Sequence, residues 1–581
     1  MVSTCAPVLW TDSLHSFHLS DGYFLGFGCP LGATVIQVLH STSLVSIRRS
    51  AFSFGLGTAI AVSASGSVVL EDIQVQNFTS LSNEVVAITG FSTGSLLLKN
   101  STWEGNKASI GGALYLINLA ACYISHSSFS HNFATNGGAI GVLCNLSAPA
   151  SLSVTDTVFR GNQASGQGGV FYIFFDSPAA LLAFSLQSTV IEDNVGKAGS
   201  GFYLASKVQL LPSSVLTNVN MTGNRAEVQG VLSLNHQNGT LTLTSVSFTN
   251  NTGQPGESCL FTSPTSSAFL FLHNSTFQGN IGTHTVHSAV HTTLTISNTL
   301  FQGNSGTSLY LKSTHFVCSN CSFRQNAGSE VVLITDSIVY LQFAVFDSNT
   351  ASNSEAVIQV SDLTSLNCED CVFFNNTAVD KGGTVQGEGN SVIRLRHCRF
   401  ERNSVERQGS ALSLIAAKAV FLSDCVFTSN RAGQGGTLFL TGTVMSLLNC
   451  SLDNNSAGLL INQSNVTLTG CEFAKQGKSS GYFLAITSLS DVLLEDTTLR
   501  QGESADIGAI YLEESNLLLK NCRVWGLTGN RGTLIYAFGF ANLTLDHTSV
   551  TDCKSSLNEL IYLLLSSGYR KSRWRPCPFL L

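Results

Sequence analysis

The sequence predicts an all-β chain wound as a right-handed parallel β-helix, about 18 coils of roughly 26 residues with an internal asparagine ladder. Three observations predict it. A large apolar residue recurs at a near-constant interval. The third residue after it is asparagine in repeat after repeat. A Gly-Gly pair then precedes a second short apolar run in five of the repeats.

The apolar anchors begin at Trp103, Phe129, Phe159, Ile191 and Met221 and end at Leu499, Val524 and Val550. There are 18 of them, with 17 intervals ranging from 21 to 32 residues. The anchor phrase keeps its length, so the insertions belong in loops. An interval in this range is the signature of a stacked repeat, in which no single unit can bury its apolar face alone.

The column three residues after the anchor reads Asn106, Asn132, Asn162, Asn194, Asn224, Asn251, Asn280, Asn304, Asn326, Asn349, Asn376, Asn403, Asn430 and Asn455. It then decays to Gln476, Gly502, Leu527 and Cys553. A short amide with two donors and two lone pairs, and a tolerance of left-handed backbone, suits a stack at strand spacing. There it can bond along the stack and satisfy turn backbone that would otherwise be buried without partners. A helical repeat supplies no reason for such a column.

The runs before the anchors alternate, as in "SLLLKNSTW" at 95–103 and "AVFLSDCVF" at 419–427. The runs after the glycines are short and rich in β-branched or aromatic residues, as in "VFYI" at 170 and "TLFL" at 437. Both kinds are bounded by Gly, Asn and Ser and read as strands. The glycine pairs, Gly111–Gly112 and Gly137–Gly138 among them, supply corners that a side chain would obstruct. No stretch carries enough helical periodicity for a crossover helix. Parallel strands joined by short corners therefore coil, with the right-handed sense of parallel crossovers.

"FSHNFATNGGAI" at 129–140 and "WEGNKASIGGAL" at 103–114 resemble the FxxN and GGA[I/L/V] repeats of chlamydial polymorphic outer membrane proteins. More widely, residues 50–555 resemble the pectin-lyase-like right-handed β-helix superfamily. The C-terminal membrane barrel of the chlamydial proteins is not recognisable here. Similar repeats occur in large protist and algal surface proteins. The resemblance implies an exposed passenger, adhesin or spacer segment on a cell surface.

Three regions follow: irregular or partial N-terminal coils or a cap over 1–50, the β-helix over 51–555, and an irregular basic tail over 556–581. Charged residues are 11% of the chain and the net charge is −7, which excludes a basic field for nucleic acid. No apolar run is long enough to span a membrane. The longest, 170–186, is interrupted by Asp176 and Pro178 and reads as two strands and a loop. The N-terminus lacks the pattern of a signal peptide and neither end offers a polar cap, so a piece of a longer extracellular or cell-surface precursor is expected.

Sixteen cysteines are present. Cys321, Cys371, Cys398, Cys425, Cys450, Cys471 and Cys522 stand two residues before their anchors, where Ser101, Ser127, Thr157, Thr189, Ser275 and Thr299 stand in other repeats. By alternation this column faces inward, which predicts a stack of small buried thiols. In-register stacking points the Cβ vectors alike and opposes bridging between coils. "CSNC" at 318–321 and "CEDC" at 368–371 raise a four-cysteine zinc site as the alternative, with a separation too long for the usual knuckle, and local disulfides as another.

The chain carries 14 N-x-S/T sequons, and Asn77, Asn100, Asn145, Asn220, Asn274, Asn320 and Asn542 are the candidate glycosylation sites. The expected function is a non-catalytic surface or secreted repeat protein for adhesion, carbohydrate binding or spacing, with carbohydrate or a cell-surface protein as partner and no cofactor. The alternative is a polysaccharide lyase or glycoside hydrolase, which needs carboxylates converging on one outer face. The acidic pairs Glu71–Asp72, Glu192–Asp193, Glu369–Asp370 and Glu495–Asp496 are scattered along the chain. The column three before the anchor, with Asp156, Asp370, His397, Asp424, Asn449, Asp496, Asn521 and His547, reads as a solvated strand edge. No residue is assigned a catalytic or metal-binding role.

Overall fold

In a computed structural model the chain forms two compact units, residues 1–305 and 306–581, each a parallel β-solenoid, with about 19 turns in all. The structure describes residues 7–564 apart from 13–14, 27–33, 81–84, 91–93, 145–148, 176–180, 206–207, 236–237, 254–255, 265–266, 290–291, 353–355, 380–381, 434, 477–481, 503–507, 530–531 and 557–558. The basic cluster expected at 570–576 lies outside the described residues. No helix among the described residues is long and apolar enough to cross a membrane. Residues 170–186 supply the strands Phe171–Phe175 and Leu181–Gln187.

One coil shows how the repeat is built. Ala419–Ser423 is a strand, Asp424 turns a corner, and Val426–Thr428 carries the anchor Phe427. Ser429 turns a second corner into the two-residue strand Arg431–Ala432, and Leu438–Thr441 completes the turn. Each strand pairs in parallel with its counterpart one coil earlier: Val420 opposite Ile393, Phe427 opposite Phe400, Ala432 opposite Val405 and Leu438 opposite Leu412. Register is pinned because a slip of one residue would turn every inward side chain outward.

The anchors fill the core. Trp103, Phe129 and Phe159 are fully buried, and their rings stack at 5.8 and 5.0 Å. In the second unit Phe323, Phe346, Phe373, Phe400 and Phe427 continue the same arrangement at 4.4–5.1 Å. Burying each such ring contributes about 2–3 kcal/mol, and near-parallel stacking adds to it.

The asparagine ladder is present in both units. Asn132 Oδ1 accepts from the Asn106 backbone N–H at 3.1 Å and from Asn106 Nδ2 at 3.0 Å. Asn132 Nδ2 donates to the Trp103 carbonyl at 3.0 Å and to Asn162 Oδ1 at 2.9 Å. Both lone pairs and both amide hydrogens are thereby used, the full capacity of the side chain. The same set recurs at Asn403, which accepts from Asn376 and donates to the Phe373 carbonyl and to Asn430.

The backbone corrects one expectation. The ladder asparagines are not among the residues with positive φ. The left-handed residue is the one before each of them: Gly105, His131, Gly161, Asp193, Gly223 and Asn250 in the first unit, Asn375, Arg402 and Ser429 in the second. Asparagine stands in the ladder for its amide alone. The glycine pairs divide their task. Gly111 has φ +60°, while a Cβ on Gly112 would sit 2.2 Å from the Gly138 carbonyl of the next coil.

The stack also reaches further toward the N-terminus than the repeat phrase. Phe24 opposes Phe52, Phe52 opposes Val75, and Val75 opposes Trp103, so residues before the first anchor occupy the same column.

Candidate functional site

The column three before the anchor is a corner, not a strand edge. Asn100, His126, Asp156 and Asn274 in the first unit, and Asp370, His397, Asp424, Asn449, Asp496, Asn521 and His547 in the second, all have φ of 48–54°. The left-handed conformation favours Asn and Asp, and its cost accounts for their enrichment there. Asp370, His397 and Asp424 lie on successive coils, with His397 Nδ1 3.6 Å from Asp370 and Nε2 3.8 Å from Asp424. All three are 37–43% exposed, and exposed pairs at such distances contribute little.

The acidic pairs have a structural explanation. In each, the glutamate faces a cation one coil away: Glu71 with Arg48 at 3.4 Å, Glu192 with Arg160 at 3.3 Å, Glu369 with Arg396 at 3.5 Å and Glu495 with Lys520 at 2.7 Å. The adjacent Asp72, Asp193, Asp370 and Asp496 are left-handed corner residues. These pairs cross-link neighbouring coils at the surface.

The thiol column is buried, with exposures of 0–1% from Cys371 to Cys522. Its sulfurs do more than fill space. Cys398, Cys425 and Cys450 each donate to the carbonyl two residues back, at 3.3–3.4 Å across the left-handed corner. Cys318 and Cys321 are joined as a disulfide. Cys318 opposes Leu341, and Leu341 opposes Cys368, so CSNC and CEDC are two coils apart, roughly 9.6 Å at the usual strand spacing, too far to share one ion.

Of the candidate glycosylation residues, Asn77, Asn100, Asn220, Asn274, Asn320 and Asn542 are exposed, while Asn145 lies outside the described residues.

In the second unit a groove of about 500 Å³ runs along the coils from Phe421 to Thr544. Its platform is one outward column: Phe421, Ser446, Thr467, Leu493, Leu518 and Thr544 oppose one another in register. Phe421 is 46% exposed, with the Arg394 guanidinium 5.4 Å from its ring. Its rim is the column two residues earlier, Asn465, Asp491, Asn516 and Asn542. Asn516 Nδ2 donates to Asp491 Oδ1 at 2.5 Å, and Asn542 Nδ2 donates to Asn516 Oδ1 at 2.8 Å. The amides of Asn516 and Asn542 are thus held in fixed orientation beside a column of mixed apolar and hydroxyl side chains. Sequence reasoning missed this site apart from Asn542. Its signal is a polar residue eight places before each of the anchors Phe473, Leu499, Val524 and Val550.

A second, wider valley of about 1110 Å³ lies beyond the asparagine ladder, between corner residues such as Asn375 and Arg402 and the short-strand residues Thr377, Ser404 and Arg431. It has polar and charged walls over a floor of small buried side chains that includes Ala378, Val405 and Ala432.

Comparison with known proteins agrees with this architecture. A receptor-like protein of Dictyostelium discoideum, metabotropic glutamate receptor-like protein R, is 23% identical over 327 residues, 55% of this chain. The match covers 18% of that relative's length. The family described as the right-handed β-helix region matches residues 258–419 and 410–569, more than half of the chain. With parallel coils, stacked anchors and ladder in place, the chain belongs to the right-handed β-helix family.

Proposed function

We propose that this chain is a non-catalytic cell-surface or secreted repeat protein that binds linear carbohydrate along the groove of its second unit. The observation that carries the reading is the rim of Asn465, Asp491, Asn516 and Asn542 beside the Phe421–Leu493–Leu518 strip. Oriented amides and a carboxylate recognise hydroxyl groups, and the half-exposed Phe421 ring, with the less exposed Leu493 and Leu518, receives the C–H faces of sugar rings. The groups recur once per coil, about every 4.8 Å, which suits a polymer that repeats its hydroxyls. Exposed sequons support a secretory route. The Dictyostelium relative, receptor-like by name, supports a surface location.

The reading is tested on a glycan array, followed by calorimetry with the best ligand. Asn516→Ala is expected to weaken binding about 5–10-fold, the loss of one or two hydrogen bonds, while Asn298→Ala in the first unit leaves it unchanged. No glycan binding, or binding insensitive to Asn516→Ala, overturns it. The alternative, a polysaccharide lyase or glycoside hydrolase, rests on the succession Asp370, His397, Asp424. Release of reducing ends or of unsaturated products from any polysaccharide, abolished by Asp370→Asn, would replace the binding reading with that one.

A further inference from the structure

The first unit holds a side-chain cluster that none of the features above uses. Glu257, His284 and His287 bring one carboxylate oxygen and two imidazole nitrogens within 4.8 Å of one another. We propose that these three residues bind a single divalent transition-metal ion, with zinc the best match, and leave one coordination position open.

The distances carry the proposal. His287 Nδ1 lies 2.8 Å and His284 Nδ1 3.8 Å from Glu257 Oε1. Ligands on a tetrahedral zinc ion, with bonds of about 2.0–2.1 Å, stand about 3.3 Å apart, between these two values. Small side-chain rotations therefore complete the site. Two imidazoles and one carboxylate are a borderline donor set that suits zinc and its neighbours better than calcium or magnesium. Three protein ligands leave the fourth position to water or to an outside donor.

The fold builds the cluster. Gly253 opposes Gly282 and Leu260 opposes Val286, so six residues stand between Gly253 and Leu260 where three stand between Gly282 and Val286. Within that longer segment Glu257 lies beside the two histidines, which are three residues apart on the strand Ile281–Ser288. The Ser258 N–H donates to the His284 carbonyl at 2.9 Å, and the Thr283 N–H donates to the Gly256 carbonyl at 3.0 Å. The His287 ring meets Phe261 edge-on at 5.0 Å. The ligand side chains are only 13–17% exposed, over a floor that includes the buried Val286 and Cys259. The exposed group Glu369, Asp370 and His397 has comparable spacing but no such enclosure, and serves as the control.

The test uses the full chain without a histidine tag, stripped with chelator, and titrated with Zn²⁺ by calorimetry and with Co²⁺ by visible absorption. One ion per chain is expected, with a cobalt spectrum of nitrogen and oxygen ligands. Glu257→Gln, His284→Gln and His287→Ala should each weaken binding at least 10-fold, since even an outer-shell partner is worth about 10–100-fold. His397→Ala should leave stoichiometry and affinity unchanged. Circular dichroism identifies any variant that fails to fold, and the other two substitutions then decide. Absence of stoichiometric binding to the unsubstituted chain overturns the proposal. So does binding that survives all three substitutions or is lost in His397→Ala.

Discussion

The two units fill the position before the anchor strand with different chemistry. In the first unit it holds mostly hydroxyls: Ser101, Ser127, Thr157, Thr189, Ser275 and Thr299 donate to the carbonyl two residues back at 2.7–2.9 Å. In the second it holds mostly thiols: Cys371, Cys398, Cys425, Cys450, Cys471 and Cys522 donate to the equivalent carbonyl at 3.3–3.5 Å. Several thiols also face a carbonyl of the preceding coil, as Cys425 does Leu395 at 3.5 Å. The corner exposes a carbonyl that a small buried donor must cap, and either group serves. They differ in titration: a hydroxyl stays neutral across the working range, whereas a thiol ionises.

That difference predicts the largest effect. The neighbouring sulfur first, then burial, pushes Cys425 and Cys450 up to about 12 from an ordinary 9.0, and Cys371, Cys398 and Cys471 rise in the same direction. A thiol whose folded pKa exceeds its unfolded one stabilises the fold fully below about pH 9 and loses that contribution as pH rises toward the folded value. Above about pH 9 the fold must keep these mutually coupled thiols protonated, so the stack as a whole loses stability there, more than a single substitution removes. The first unit has fewer raised thiols, among them Cys122 and Cys259. Pulse proteolysis in urea at pH 8 and 10.5, with fragments assigned by mass spectrometry, should show the second unit losing far more stability. Equal losses in the two units would break the comparison.

The ladder sets the opposite expectation, because both units use it alike. Asn194→Ala and Asn403→Ala each remove an acceptor of two bonds and a donor of two, one to an anchor carbonyl and one to the next ladder amide. Three buried groups lose their partners, at a cost of about 3–6 kcal/mol in either unit. Unfolding free energies from urea titration at neutral pH should agree between the two variants to within about 1 kcal/mol. A much smaller loss in one unit would mean that its ladder is decorative. Gln476 shows a partial substitute: its amide still reaches the Leu452 carbonyl at 3.0 Å, but its Oε1 finds no partner.

The ladder was legible because only asparagine fits it, and the anchors because a narrow core admits only large apolar side chains. The repeat phrase is missing from the coils before Trp103, since Gly55 and Phe78 stand where the asparagine would be, and there only the alternating runs placed residues from 51 onward in the β-helix. Phe78 in fact ends the ladder, donating its N–H to Asn106 Oδ1 at 3.1 Å. The corner columns were misread as strand edge because exposed left-handed positions accept Asp, His, Ser and even Phe343, so they leave no single-residue signature. The groove rim and the Glu257–His284–His287 cluster depend on register between coils whose loops differ in length, and spacing along one chain does not report it.

The smallest effect tests the cap itself. Cys425→Ser keeps a donor, but its oxygen is smaller than the sulfur it replaces, and the loss should stay below about 1 kcal/mol. Cys425→Ala leaves the Ser423 carbonyl without its cap and opens a small void, for about 1–2 kcal/mol. Thr157→Ala in the first unit should cost about the same, since its hydroxyl caps the Thr155 carbonyl at 2.8 Å. Cys425→Val separates donor from volume. Val219, Val246 and Ala344 already occupy this column in three coils, so an apolar side chain is tolerated in the fold. Thermal melts of the three Cys425 variants decide between the accounts. If Val matches Ser, volume alone governs the position and the hydroxyl–thiol comparison reduces to size; if Val falls with Ala, the capped carbonyl governs it in both units.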